Sequence, residues 1–260
     1  MQIIDLRNDS NNVLICYLGL IKFMKHLFAT CCAFFWLGYN STLLAQNAQE
    51  IIEKHIEAIG GREAWAKIKT LRSEASMKSN GTEIKMRFTQ EDKKAMRQDI
   101  HIMGMDGYSI LTQTEGWNYA PFQGQTKPEP MTADEIKKGQ DGLHLGDEFI
   151  TYKELGKTLD FLGKDDMDGS ECYKFKLTSK SGEEATFYID SDTYWIIKES
   201  NKVTVNGKEV ESSTLFSNYT RLAEGIVFPM SIGGGWGTVE YSKIEINPSL
   251  DPSVFKLPKP

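Results

Sequence analysis

The sequence predicts one mainly β domain of about ten or eleven antiparallel strands, with a few helices at its start and middle. Two observations carry this. From Leu71 onward, apolar and polar residues alternate with period two in short runs. Those runs are cut by turn dipeptides: Asn80-Gly81, Asp106-Gly107, Glu115-Gly116, Asp168-Gly169, Ser181-Gly182 and Asn206-Gly207. The composition agrees: 260 residues, 40% hydrophobic and 25% charged, describe an ordinary folded chain.

The N-terminus reads as a targeting segment. Met24-Lys25-His26 precedes the apolar run Leu27 to Leu37, followed by polar Tyr39 to Thr42 and then Leu43-Leu44-Ala45-Gln46. A basic start, an apolar core and a small residue at the cut are the layout of a secretory signal. Cleavage is expected after Ala45, with Ala48 as second choice. Lys22, Lys25 and His26 interrupt the apolar stretch, and the run after them falls short of the roughly 20 residues a membrane span needs. Export is therefore preferred over an anchor, and Met24 is a more natural start than Met1. Residues 1–45 are read as extension plus signal peptide, and residues 46–260 as the folded domain. Removing residues 1–45 takes away Arg7, Lys22, Lys25, Asp5 and Asp9, which moves the net charge from −6 to −7.

Ala48 to Ile59 has helical spacing, with Ile51, Ile52, His55, Ile56 and Ile59 on one stripe and Gly60-Gly61 as its stop. Arg62 to Lys69 is a short second helix carrying Trp65 and Ile68. A first meander follows over Leu71–Lys78, Ile84–Phe88, Lys94–Met103, Tyr108–Thr114 and Trp117–Phe122. Pro121, Pro128 and Pro130 break it. Thr132 and Glu135 form a capping box that opens a helix to about Gly139, and Asp147 to Leu155 reads as another helical turn. The second run of strands covers Thr158–Gly163, Cys172–Thr178, Ala185–Asp190, Trp195–Val205, Lys208–Tyr219, Ile226–Ile232 and Trp236–Ile246. The proline-rich tail is extended and tied down by Phe255.

Chemistry-bearing constellations are scarce. A net charge of −6 offers no basic face for nucleic acid. Three of the four cysteines (Cys16, Cys31, Cys32) precede Ala45, so Cys172 alone cannot build a disulfide framework. His55, His101 and His144 lack metal-ligand spacing, and there is no GxSxG elbow. Gly233 to Gly237 lacks the lysine of a phosphate loop, and Asp165 to Gly169 fails as a calcium loop at both end positions. His55 reads as a core histidine. No cofactor, metal or catalytic residue is expected, although paired carboxylates of a hydrolase are invisible to sequence spacing.

The apolar mass is the informative feature. The first meander carries Met86, Phe88, Met96, Ile100, Ile102, Tyr108, Ile110, Trp117 and Tyr119. Unbranched, polarizable methionine suits a surface that accepts variable apolar ligands. These residues are expected to line one side of a curved sheet, with Ile52, Ile56 and Ile59 of the first helix covering part of it.

The order of the initial helix, Gly60-Gly61, Trp65, the meander, Gly116-Trp117, Tyr188-Ile189-Asp190 with Thr193, Gly225 to Pro229, and Asn247, Asp251, Phe255 and Pro258 resembles the periplasmic outer-membrane lipoprotein-sorting (LolA-like) family. The closing pattern N-P-x-L-D-x-x-x-F-x-x-P is its most specific part. The resemblance implies a half-open antiparallel β-barrel with helices packed in its concave face, located in the periplasm. It also implies a carrier of lipoprotein acyl chains or another hydrophobic ligand, with no catalysis. Such carriers use an early-strand arginine to hold the lid, which makes Arg97 the candidate, with Arg87 second. Two alternatives stay open. One is an envelope-stress sensor or scaffold on the same fold, with a membrane-bound partner protein; the other is a hydrolase.

Overall fold

Strand β1 (Thr70–Ser79) is the pivot of the sheet. On one side it turns through Asn80-Gly81 into β2 (Thr82–Glu91); φ values of 49° and 81° give the two left-handed residues that a tight hairpin needs. On the other side it pairs antiparallel with the last strand, β13 (Gly237–Ile246). Outward from β2 lie β3 (Ala95–Ile102), β4 (Met105–Thr112), β5 (Gly116–Tyr119) and β6 (Glu129–Pro130). Outward from β13 lie β12 (Val227–Gly234), β11 (Lys208–Arg221), β10 (Ile196–Val205), β9 (Glu184–Asp190), β8 (Ser170–Thr178) and β7 (Thr158–Met167). The computed structural model describes residues 47–205, 208–235 and 237–258. The signal-peptide reading and the Asn206-Gly207 turn lie outside them.

The described residues thus form one open antiparallel sheet of 13 strands, against the ten or eleven expected from sequence. Part of the difference is β6, a two-residue strand whose Pro130 pairs with Trp117 at the sheet edge, where a missing N–H is tolerated. A second correction concerns the β3–β4 turn. It falls at Met103-Gly104 (φ 53° and 77°), not at Asp106-Gly107. Gly107 instead sits inside β4, where a Cβ would lie 2.6 Å from the Phe122 ring.

Helix α1 spans residues 47–58 and α2 spans Arg62–Ala66. Residues 47–50 belong to a separate N-terminal unit, Met1–Glu50. The insertion between β6 and β7 holds α3 (Ala133–Gly139) and α4 (Glu148–Leu155). The Thr132–Glu135 capping box is formed as expected: the Thr132 amide donates to Glu135 Oε2 at 2.7 Å, and the Glu135 amide to Thr132 Oγ1 at 3.3 Å. No helix among the described residues is long and apolar enough to cross a membrane.

The dispersed motif residues anchor these pieces. The Gly61 amide donates to Ile56 O at 2.8 Å and closes the helix as a left-handed stop. Gly60 (φ 112°) lies so close to the β11–β12 turn that a Cβ would stand 2.6 Å from Gly225 O. Trp65 Nε1 donates to Ile59 O at 3.1 Å, and the Val227 amide donates to the same carbonyl at 2.9 Å. Asn247 (φ 54°) accepts the Lys69 amide on its Oδ1 at 2.7 Å and donates from Nδ2 to Lys67 O at 3.0 Å, fixing where β1 begins.

Candidate ligand-binding face

Directly paired residues of antiparallel strands project to the same face, so register assigns every side chain a side. Phe187 pairs with Glu199, and Glu199 with Thr214. Phe216, two residues on, pairs with Ile232, Ile232 with Val239, and Val239 with Met77. Met77 pairs with Ile84 and Ile84 with Ile102. These residues therefore share one face, and it is the face that carries the helices. Phe149 of α4 meets the Phe175 and Phe187 rings edge-on at 5.8 and 5.2 Å. Ile59, Trp65 and Ile68 pack with Ile226, Phe228 and Ile246.

The same ladder divides the ten sequence-predicted ligand residues. Met86, Phe88, Met96, Ile100 and Ile102 lie on the helix-bearing face. Arg97, Tyr108, Ile110, Trp117 and Tyr119 lie on the opposite face, with Arg97 opposite Ile110, Ile110 opposite Trp117, and Tyr108 opposite Tyr119. The expectation of one shared side is corrected. Its physical origin is loop length: the two-residue turn Met103-Gly104 pairs even positions of β3 with odd positions of β4, so Ile100 faces Gly107 while Tyr108 turns away.

On the helix-bearing face, Ala75, Met86 and Val239 form a buried cluster surrounded by half-buried Met77, Ile84, Phe88, Ile100 and Tyr241. Tyr241 bridges two apolar clusters: its ring lies 6.0 Å from Phe88 and 5.4 Å from Phe228, and Phe228 packs in turn against the cluster of Ile59, Trp65 and Ile68. Beyond that bridge the apolar side chains of β1 to β3 keep part of their surface in water, an unfavourable exposure that a hydrophobic ligand would relieve at about 25 cal/mol per Å². Met96 lies at the rim, near Gly142 of the insertion.

On the opposite face Arg97 is held from several sides. Its Nε donates to Asp99 Oδ1 at 2.7 Å, its Nη1 donates to Val254 O at 3.0 Å, and its guanidinium lies 4.9 Å from the Tyr108 ring centroid. Val254 belongs to the 3-10 turn Pro252–Phe255, which packs on β3 and β4. Ile110 of β4 and Thr89 of β2 are fully buried on this face, away from the helices. A cleft of about 730 Å³ beside that turn is lined by Glu74, Lys85, Arg87, Arg97, Asp99 and Tyr108. Burial pushes the Tyr108 hydroxyl up, partly countered by Arg97. The lid-holding role that the resemblance implies for Arg97 finds no helix to hold: its contacts are Asp99, Tyr108 and the C-terminal turn.

The buried polar contacts of α1 lie elsewhere. His55 of α1 is buried in the apolar layer, as the sequence reading expected. Its Nδ1 lies 2.6 Å from Tyr194 O, so it carries a proton there, and its Nε2 lies 3.1 Å from Asp147 Oδ1. A neutral ring with its proton on Nδ1 would set a lone pair against the carboxylate. The doubly protonated ring suits both neighbours. Burial pushes the imidazole pKa down, but the charge and hydrogen bonding of Asp147 and the Tyr194 carbonyl outweigh it and leave it raised. Asp147 also caps α4, accepting the Phe149 amide at 2.7 Å. Tyr194 is presented by an Asx turn: Asp190 Oδ1 accepts the Thr193 amide and hydroxyl, both at 2.7 Å, and Tyr194 takes φ 58°. Sequence reasoning missed Asp147 and Tyr194 as partners of His55. A buried histidine on a helical stripe was the available signal.

No protein-family model matches the chain, and no curated protein matches it. Solved structures do share its fold. A DUF1329 family protein from Desulfovibrio piger is 13% identical, with TM-score 0.52 over 80% of this chain and 96% of its own. A LolA superfamily protein from Nitrosomonas europaea is 12% identical, with TM-score 0.52 over 81% and 97%. A putative outer membrane lipoprotein-sorting protein domain from Vibrio parahaemolyticus is 12% identical, with TM-score 0.51 over 80% and 95%. The open 13-stranded sheet with helices on one face is thus the fold of LolA superfamily and lipoprotein-sorting domain structures, the likeness that the dispersed sequence pattern pointed to.

Proposed function

We propose that the protein is an exported periplasmic carrier that holds an acyl chain, of a lipoprotein or another lipid, on the helix-bearing face of its sheet, and that it catalyses no reaction. The observation that supports this is the half-buried apolar ring of Met77, Ile84, Phe88, Ile100 and Tyr241 around Met86, a cluster that includes no residue of the described helices. An acyl chain in water costs about 0.8 kcal/mol per CH₂, so a soluble carrier needs such a surface. The fold shared with a lipoprotein-sorting domain supports the same reading. In it the binding residues are Met86, Phe88, Met96, Ile100 and Ile102, while Arg97, Tyr108, Ile110, Trp117 and Tyr119 serve the opposite face. Helix α1 is the lid, latched by His55.

The test is titration of the purified protein with a monomeric fluorescent fatty acid. Saturable binding is expected. A folded protein that takes up no acyl probe, detergent or lipopeptide overturns the carrier reading.

A further inference from the structure

A second cleft, of about 1120 Å³, wraps the β9–β11 part of the sheet beside α4, and its lining draws on both faces: Leu177, Phe187, Glu199, Val203 and Val210 on the helix-bearing side, Tyr188, Ser200 and Lys202 on the other. Its floor is apolar. Phe187 and Leu177 are buried in it, and the cross-strand pair Val203 and Val210 stands 37% and 42% exposed. Its wall is ionic. Lys157, with a side chain only 12% exposed, donates to Glu148 Oε2 at 2.9 Å and lies 3.2 Å from Asp141 Oδ2. Glu199 rises from the floor between Phe187 and Thr214. Burial, and after it the charge of Glu148, push its carboxyl pKa up, with Lys157 only partly opposing.

Three carboxylates therefore share a single ammonium beside an exposed apolar strip. The lining lysines of the opposite face have carboxylates of their own: Lys174 lies 3.1 Å from Asp165, and Lys202 lies 3.6 Å from Glu209. Desolvated acidic groups on an apolar floor recognise a cation attached to an apolar body, because only the cation lets the carboxylate ionise without water. We propose that this cleft receives a lipid whose headgroup carries a free ammonium, seated between Glu199 and Glu148, with the adjoining chain lying on Val203 and Val210. The inference goes beyond the acyl-carrier reading: it is a second lipid site on β10 and β11, separated from the Met86 ring by β1, β13 and β12.

Three twelve-carbon probes, each below its micelle concentration, decide it by calorimetry: dodecylammonium, dodecyl maltoside and dodecyl sulfate. The ammonium probe should bind at least about tenfold more tightly than the maltoside, a factor of ~1.4 kcal/mol, and the sulfate more weakly than either. Glu199→Gln should bring the ammonium probe down to the maltoside's affinity and leave the maltoside unchanged. Val203→Lys, at an exposed position that folding tolerates, should likewise remove the ammonium preference by tethering a competing ammonium in the cleft, and should weaken the maltoside too because the chain rests on Val203. Maltoside binding with no ammonium preference, or a preference that survives both substitutions, overturns the inference and leaves the carrier reading intact. Failure of all three probes overturns both.

Discussion

His55 Nε2 and Asp147 Oδ1 lie 3.1 Å apart inside the apolar layer and join α1 to the first turn of α4 by a charged pair. Two helices far apart in the chain are thereby tied by groups that cannot be separated without stranding a charge in an apolar layer.

The pair makes stability depend on pH in a definite direction. The folded pKa of His55 is raised above its ordinary value near 6.5. Its contribution is therefore complete below about pH 6.5 and is lost as pH rises through the folded value. Urea unfolding at pH 6 and pH 9 should show the loss at the higher pH. Asp147→Asn keeps the helix cap and removes the charge. It should destabilise the protein by about 3–5 kcal/mol, and by NMR the His55 pKa should fall below its ordinary value, because burial, the largest influence, is then opposed chiefly by the Tyr194 carbonyl. An unchanged His55 titration in this variant would refute the pairing.

The two faces of the first meander should separate in a binding assay. Ile100→Asp, on the helix-bearing face, should weaken the fluorescent acyl probe by more than about tenfold, since it sets a charge where two or more methylenes lay. Tyr108→Ala, one strand over but on the opposite side, should leave probe affinity within about twofold. The reverse outcome would place the ligand against Arg97 and the C-terminal turn.

Gly60 and Gly61 should differ in their tolerance of a side chain. Gly60→Ala meets Gly225 O at 2.6 Å as well as an unfavourable φ of 112°, and should lower unfolding free energy by about 2–3 kcal/mol. Gly61→Ala has a φ of 85° and a ψ of 154°, a backbone region that essentially only glycine adopts, but nothing within 4 Å, so only the backbone cost of about 1–3 kcal/mol applies. Thermal unfolding of the two variants side by side checks the ranking.

Asn247→Ala should cost about 2 kcal/mol, from lost hydrogen bonds to residues 67–70 and an alanine held at positive φ. Asn247→Gly should restore the backbone part of that loss and not the rest.

Mass spectrometry of the protein recovered after export should find its first residue at Gln46. A chain retained in the cytoplasm with Met24 in place would overturn the signal reading.

Much of the fold was legible because its causes are local. Period-two runs, Asn80-Gly81, Asp168-Gly169, the Gly60-Gly61 stop and the Thr132–Glu135 box act within a few residues, and each appears in place. The pairing of β1 with β13 was not legible, since nothing local ties Leu71 to Ile246. Nor was the face on which each apolar side chain falls. A single loop residue more or less inverts the parity of a whole strand, so Ile100 and Tyr108 could not be told apart until the Met103-Gly104 turn was fixed. The sequence by itself determined that a helix with an apolar stripe containing His55 would cover a β-sheet rich in methionine and aromatic residues. Only the tertiary structure decided that Asp147 and Tyr194 meet His55, that Arg97 serves the C-terminal turn, and that Glu199 faces Lys157. Those contacts depend on residues brought together across the sheet by register, a quantity no short window of sequence contains.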